Sequence, residues 1–374
     1  MRIVELNKHY PPFLGGVEDH VRQCCLELSA DHDVHALVCN TAAETVKDTV
    51  DGVPVTRVAS FGKVASQPLA PMLPYHLARL KPDLVHLHAP NPLGILSYLL
   101  ALPRTPLVIT HHGDITQQKY LKHLVLPFYQ RVLQKACAVV LFTERYGRTS
   151  AELQDVQDKI FVIPHGTEAA LFERTSRVAE EATRLRHQIA GGAPTVTFIG
   201  RIVEWKGVHV LLRALAELPG VHAFIGGDGD ALEKNEARAR KMGLGERVHF
   251  MGRLNDEEKV PVFHAGDVFV LPTLSRSESF GIVQVEAQLC ERPVVVSSIG
   301  GAPEVTKDGQ TGALVPPGDP EALADTLHGL LEHDARRERL GRAGRRRAEA
   351  KYVRSVTAPR LRRLFRSLER KLAG

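Results

Sequence analysis

Two glutamates stand eight residues apart in SRSESFGIVQVEAQLCERPVV, the stretch from Ser275 to Val295: Glu278 in a loop and Glu286 inside an apolar helix. The strand-like run DVFVLP comes before the loop, and Gly281 opens the helix, which is expected to run to about Leu289. A helix start offers free N–H groups and the positive end of a dipole to an anion. Glu278, just before that start, is placed to accept hydroxyl hydrogens. Glu286 lies deeper, where a buried carboxylate is costly without donors. Ribose hydroxyls are suitable donors. The pattern suits a nucleotide-sugar, with its sugar at Glu278, its diphosphate at the helix start and its ribose at Glu286.

Other residue groups at strand ends could share that task. Gly200-Arg201 closes the strand TVTFIG, and Lys206-Gly207 opens the next helix. Arginine grips phosphate with two parallel hydrogen bonds and lysine adds a point charge; the plainer reading is a solvated loop. His111-His112-Gly113-Asp114 ends the strand LVIT. Neighbouring histidines could bind metal, but no third ligand falls at a familiar spacing. Either ring could be a buried structural histidine, although the strand-end position favours a site. Gly15-Gly16 opens a helix after the first strand and loop, where backbone amides could face a phosphate or simply make a turn. Gly226-Gly227-Asp228-Gly229 lacks the G-x-G-x-x-G spacing of a dinucleotide fingerprint and reads as a tight strand-to-helix turn.

These groups need a frame to hold them. Short apolar strands recur at Ile3–Leu6, Val34–Val38, Asp83–His88, Leu107–Thr110, Ala138–Phe142 and Ile160–Ile163, with helices between. That alternation implies a parallel sheet covered on both faces. Thr167–Gly192 is polar, rich in Glu and Arg, and reads as a linker with a helix. The alternation then restarts through TVTFIG, VHAFIG, RVHFMG, DVFVLP and PVVVSS. The expected division is 1–167, a linker at 168–192, 193–351, and a basic C-terminal helix at 352–374. In such α/β sheets ligands sit at the carboxyl ends of the strands.

A chain of 374 residues suits two domains, and 44% apolar with 24% charged residues is the balance of a soluble globular protein. The net charge of +5 is compatible with anionic ligands or an anionic membrane surface, but is too diffuse to argue for nucleic acid. Five cysteines, with no C-x-x-C, point to a reducing cytoplasm rather than a disulfide framework or zinc site. The apolar part of the N-terminus is too short for a signal peptide, and the run Leu93–Leu102 is too short to span a bilayer. The tail YVRSVTAPRLRRLFRSLERKL has apolar residues at helical spacing, which fits a helix packed on one domain or a contact with the inner face of a membrane.

The E-x7-E frame of Glu278 and Glu286 resembles the retaining nucleotide-sugar glycosyltransferases of family four. GGVEDHV, THHGD, GRIVEWKG, GDG and SESFGIVQVEA occur in family order, and the resemblance covers nearly the whole chain. It implies the GT-B fold, an α/β architecture of two Rossmann-like doubly wound domains facing a central cleft. Under it, His112 lies beside the donor sugar, Arg201 and Lys206 bind the diphosphate, and Glu278 orients the sugar hydroxyls. Gly281 and Ile282, flanked by Phe280 and Val283, offer backbone amides to phosphate, and Glu286 clamps the ribose. Arg253 and Leu254 lie where the base is held. Gly200 and Gly227 line the donor site, and Gly16 lies near the donor phosphates or the acceptor. The final helix is expected to cross back to the N-terminal domain. THHGDITQQK looks most like bacterial members that build surface polysaccharides, many of them mannosyltransferases.

One departure stands out. Family members often carry a proline between the glycine–arginine and lysine–glycine pairs, where this chain reads IVEW and places Trp205. The resemblance implies hexosyl transfer from a nucleotide-diphosphate sugar, with GDP-mannose the expected donor, and with no obligatory cofactor or metal. The acceptor hydroxyl belongs to a glycan, a lipid-linked molecule or a small molecule. The alternatives are a UDP-sugar transferase using glucose or N-acetylglucosamine, a sugar-phosphate synthase or epimerase on the same fold, and a non-enzymatic nucleotide-sugar-binding protein.

Overall fold

The computed structural model describes residues 1–13, 15–64, 67–115 and 119–373. Residue 14 of the first loop and residues 116–118 of THHGDITQQK lie outside them. The chain divides into two compact units: Met1–Pro164 with the C-terminal stretch from Thr357, and His165–Val356.

The first unit runs β1 (Arg2–Leu6), α1 (Gly16–Leu28), β2 (Asp33–Cys39), β3 (Val46–Val50), β4 (Val53–Val58), the short pair β5 (Lys63–Val64) and β6 (Gln67–Pro68), α2 (Leu73–Leu80), β7 (Leu84–Ala89), α3 (Pro92–Ala101), β8 (Leu107–His111), α4 (Lys119–Lys135), β9 (Ala138–Leu141), α5 (Glu144–Thr149) and β10 (Ile160–Val162). Its sheet has the order β10-β9-β8-β7-β1-β2-β4-β3, parallel except at β3. The β3–β4 hairpin adds to the expected strands. Asp51 and Gly52 both take positive φ at its turn, as a two-residue hairpin turn requires.

Alternation along the strands divides the buried side chains between two layers. Val4, Leu6, Val85, Leu87 and Ile109 pack with residues of α2, α3 and α4. Ile3, Leu84 and Val108 face the other way, onto Val21, Cys25 and Leu28 of α1. By the same period of two, Glu5, His86, His88 and Thr110 fall on this second face, among apolar neighbours.

The second unit runs α6 (Ser176–Arg184), β11 (Thr195–Ile199), α7 (Val208–Ala216), β12 (His222–Gly226), α8 (Leu232–Lys241), β13 (Val248–Gly252), α9 (Asp256–Ala265), β14 (Val268–Leu271), α10 (Ile282–Leu289), β15 (Val294–Ser297), α11 (Ala302–Val305), β16 (Gly312–Val315), α12 (Pro320–Leu331) and α13 (Asp334–Lys351). The sheet order is β13-β12-β11-β14-β15-β16, all parallel. Chain progression reverses between β11 and β14, so the loops after these two strands diverge and leave a crevice at their carboxyl ends.

One expectation about the ends of the domains changes. Residues 168–192, expected as a linker, belong to the second unit. Val178, Ala182 and Leu185 are buried, α6 packs against α9, and Arg186 grips Asp267 through two hydrogen bonds of 2.8 and 3.0 Å. The Glu- and Arg-rich residues that suggested a linker are the outer face of this helix. The last helix, α14 (Arg354–Ala373), passes from the second unit into the first at Thr357. Its Leu361, Leu364, Phe365 and Leu368 join the layer under α1. Burial of each such side chain stabilises by roughly 1.5–3 kcal/mol. Arg362 and Arg366 both bind Asp31. The apolar stripe of the tail is therefore committed to the protein core and is not available to a membrane. No helix among the described residues is long and apolar enough to cross a membrane.

Candidate active site

In the second unit, two loops at the sheet's reversal point bring Lys206 and Glu278 together. Lys206 comes from the loop after β11, and its Nζ lies 2.5 Å from Oε2 of Glu278, which comes from the loop after β14. Both side chains are almost buried, with 12% and 10% of their surface exposed, so the attraction is little screened by water. The ring of Trp205 lies beneath the ammonium at 4.9 Å, and its carbonyl accepts from the amide of Leu274 at 2.7 Å. Trp205, the departure from the family pattern, thus supports Lys206 and ties the two loops. Glu204 on the same loop pairs with Lys234 and Arg238 of α8. Arg201 is exposed.

Close backbone approach explains the glycines here. Gly207 has φ +76°, and a Cβ on it would fall 1.9 Å from the carbonyl oxygen of Pro272. Gly227 has φ +141°, and a Cβ there would fall 1.9 Å from the carbonyl oxygen of Gly200. The Gly-Gly-Asp-Gly turn is fixed against the loop after β11, with the amide of Ile202 donating to the carbonyl of Asp228 at 2.8 Å. It is the tight turn that its spacing suggests. Leu254 approaches the end of β12, 2.5 Å from where a Cβ on Gly226 would lie, and its neighbour Arg253 is exposed.

Helix α10 begins at Ile282, one residue after Gly281, which takes a left-handed conformation (φ 72°, ψ 66°). No side chain caps this start, so the first turn, including Ile282 and Val283, presents amides and a positive dipole end. The helix is anchored from inside: Gln284 donates to the carbonyl of Phe280 and accepts from Thr306, which also accepts from Gln288. Phe280 packs against the rings of His165 and Tyr352. Glu286 is nearly buried and accepts a hydrogen bond of 2.7 Å from Lys259 of α9, which also binds Asp256 at 2.7 Å. Burial pulls the Lys259 ammonium toward its neutral form, but Glu286 and Asp256 outweigh it and hold the group more firmly protonated than usual. The charge of Glu286 is thus met within the protein, and ribose hydroxyls would add to an existing ion pair.

In the first unit the neighbouring histidines take separate roles. His111 is fully buried, with Nδ1 2.5 Å from the Tyr129 hydroxyl and Nε2 3.2 Å from Oδ1 of Asp114. Asp114 also accepts from Ser150, and Glu152 accepts from the amide of Ile115, so this acidic group is a structural network at the end of β8. His112 is half-buried. Its Nε2 lies 3.1 Å from Nδ1 of His88, and its ring packs against His20 and Phe142. Gly16 is the first residue of α1, where Glu18 and Asp19 in the first turn offset the dipole that would favour a phosphate.

Comparison with known proteins decides the family. Residues 14–171 match the family model described as Glycosyltransferase Family 4, and residues 179–347 match that of Glycosyl transferases group 1. This chain is a family 4 glycosyltransferase. It is 30% identical to the O-antigen chain mannosyltransferase C of Escherichia coli over 94% of this chain and 95% of that protein. It is 31% identical to the D-rhamnosyltransferase WbpZ of Pseudomonas aeruginosa, over 96% and 93% of the two chains. The sucrose-phosphate synthase of Thermosynechococcus elongatus superimposes with a TM-score of 0.85, at 22% identity and with 99% of each chain covered. The architecture is thus GT-B, with two Rossmann-like units.

In this glycosyltransferase the candidate residues are joined by others that its sequence does not single out. Lys259 is one. It pairs with Glu286 from another helix, 27 positions away, and the only local hint is its place three residues after Asp256 in a capped helix start. Glu5, His86 and His88 are the others. A signal for them exists in DLVHLH, where alternate positions of a strand buried on both faces are polar.

Proposed function

We propose that this glycosyltransferase moves a mannose-type hexosyl group, with retention, from a GDP-sugar to a hydroxyl of a glycan or lipid-linked acceptor, without an obligatory metal. The observation that carries the reading is the Lys206–Glu278 pair at the reversal point of the second sheet. It joins a cation for the departing diphosphate to a carboxylate for the sugar hydroxyls. Breaking the glycosidic bond puts negative charge on the diphosphate and positive charge on the sugar. Lys206, Arg201 and the uncapped start of α10 stabilise the leaving group by charges set in place beforehand. These cations supply what a metal supplies elsewhere. The acceptor hydroxyl attacks from the face the diphosphate leaves, and the departing phosphate takes its proton. Glu286 and Lys259 hold the ribose, and Arg253 and Leu254 flank the base. The mannose and rhamnose relatives support the choice of sugar class.

Calorimetric titration with GDP and with UDP, in the presence of a chelator, tests the donor. Binding of GDP but not UDP is expected. Binding of UDP alone would replace the donor and keep the transferase chemistry, whereas binding of neither would overturn the donor site.

A lipid-linked acceptor calls for contact with a membrane surface, and the first unit has residues suited to it. Residues 52–135 carry nine Lys and Arg against two Asp, and α2, α3 and α4 contain no acid at all. Leu96 and Leu100 of α3, and Leu124 and Phe128 of α4, are exposed, Leu100 by 75%. Apolar side chains among basic ones suit an anionic bilayer. The protein is expected to co-sediment with phosphatidylglycerol vesicles at low salt and to release at high salt; no sedimentation at either would exclude this contact.

A further inference from the structure

Lys206 and Glu278 serve different parts of the donor in the proposed function, the diphosphate and the sugar hydroxyls. Yet they are bonded to each other, Nζ to Oε2 at 2.5 Å, with 12% and 10% of their side-chain surface exposed. At that depth neither charge exchanges its partner for water cheaply. Among the described residues, Lys206 is the side chain that donates to the Glu278 carboxylate.

The backbone on both sides is fixed. The Trp205 carbonyl accepts from the Leu274 amide at 2.7 Å and from the Thr273 hydroxyl at 3.2 Å, and a Cβ on Gly207 would strike the carbonyl oxygen of Pro272. The Glu278 carbonyl accepts from the Gly301 amide at 2.9 Å. Gly300, with φ +62°, comes so close that a Cβ on it would fall 2.2 Å from that same carbonyl oxygen. The side chains are what can move. Lys206 has a flexible stem, and its ammonium rests 4.9 Å from the centre of the Trp205 ring. A diphosphate that draws this ammonium to itself takes it from Glu278. The carboxylate is then a nearly buried charge without its cation, beside a second anion. Hydroxyls that donate to it offset that cost, and in the donor those are the sugar's.

We propose that the Lys206–Glu278 pair discriminates the intact nucleotide-sugar from the product nucleoside diphosphate: the diphosphate takes Lys206 from Glu278, and a ligand that also carries the sugar hydroxyls satisfies the carboxylate left behind. The inference rests on the roles given to both residues in the proposed function and adds that they exclude each other. Specificity is a difference of affinities. Here the product carries the cost of the broken pair, and the donor offsets it. An ammonium has more than one N–H to donate, so the rival arrangement is a lysine that keeps Glu278 and adds the diphosphate. In that case the pair gives no discrimination.

Calorimetric titration of GDP and GDP-mannose into the wild-type protein, Glu278→Gln, Lys206→Met and the double variant separates these arrangements. UDP and UDP-glucose take their place if UDP is the nucleotide that binds. E278Q should bind GDP about tenfold more tightly than wild type, the low end of the coupling between close charge pairs, and should bind GDP-mannose no more tightly. In the K206M background there is no pair to break, and E278Q should leave the GDP affinity within about twofold. An equal gain in both backgrounds would show plain repulsion between Glu278 and the diphosphate and would overturn the proposal. No gain in either would show an ammonium that serves both groups at once, and would overturn it too. If K206M does not fold or binds too weakly to titrate, E278Q decides with the two ligands. A gain for GDP without one for GDP-mannose supports the exchange, whereas equal gains, or none for GDP, overturn it. A nucleotide bound without this coupling leaves the donor site standing and removes the exchange alone; a wild-type protein that binds neither nucleotide removes both.

Discussion

Lys206→Ala is expected to lower kcat by roughly 10²–10³-fold, the usual effect of removing one preset charge or donor from a developing anion. The KM for acceptor should change little, because Lys206 acts on the leaving group. The competing explanation is an ion pair that only supports the loop. Removal of one partner from a nearly buried pair destabilises a protein, by about 3–5 kcal/mol where burial is complete, because the other charge is stranded. The double variant separates the two. If Lys206 only neutralises Glu278, Lys206→Met combined with Glu278→Gln should regain stability and turn over no more slowly than Glu278→Gln alone. If Lys206 acts on the diphosphate, the double variant should regain stability and be far slower than Glu278→Gln alone. Near-normal turnover in K206A itself would end the leaving-group assignment. Urea titration and steady-state kinetics on the same preparations give both readouts.

The parts of this site legible in the sequence are those that depend on local spacing. The helix opening at Gly281, the depth of Glu286 within it, and the strand ends at Gly200 and His111 follow from period and punctuation along the chain. Partners across elements are not written locally. Lys259 reaches Glu286 from α9, and Trp205 links two loops through its carbonyl. The contacts of Glu5 with His86 and His88, and of His88 with His112, join β1, β7 and the residue after β8, which become neighbours only when the parallel sheet forms. The stretch 168–192 misleads for a related reason. Its polar surface dominates its composition, while its buried Phe172, Val178, Ala182, Leu185 and Ala190 decide where it packs. The tail is the converse case, since its basic residues suggest an anionic surface but two of them are spent on Asp31.

Stability should fall steeply as pH drops from about 6.5 to about 4. Burial depresses the pKa of many histidines here. His88 and His264 fall to about 4, and His9, His32, His35, His76, His209, His222 and His249 are lowered as well. Near His264, the cations Arg292, Arg174 and Arg345 add to burial. The unfolded chain takes up these protons near pH 6.5, and the folded chain does so only at lower pH. Acid therefore draws the equilibrium toward the unfolded state: stability is complete above pH 6.5, and the loss from His88 and His264 is complete once pH has passed below about 4. Each of these two contributes on the order of a few kcal/mol over that window. Glu5 acts in the same direction at lower pH. Its folded pKa of about 2 supplies stability that is present above its ordinary value of 4.5 and is lost as pH falls toward 2. Urea midpoints at pH 7.5, 6.0 and 5.0 should decline in that order, and equal midpoints would contradict the buried neutral state of these rings. His264→Gln, which cannot take the proton, should flatten the decline while leaving the nucleotide dissociation constant at pH 7.5 unchanged. An undiminished slope in that variant would move the acid sensitivity to the other histidines, His88 foremost, and so to the ring that joins Glu5 to His112.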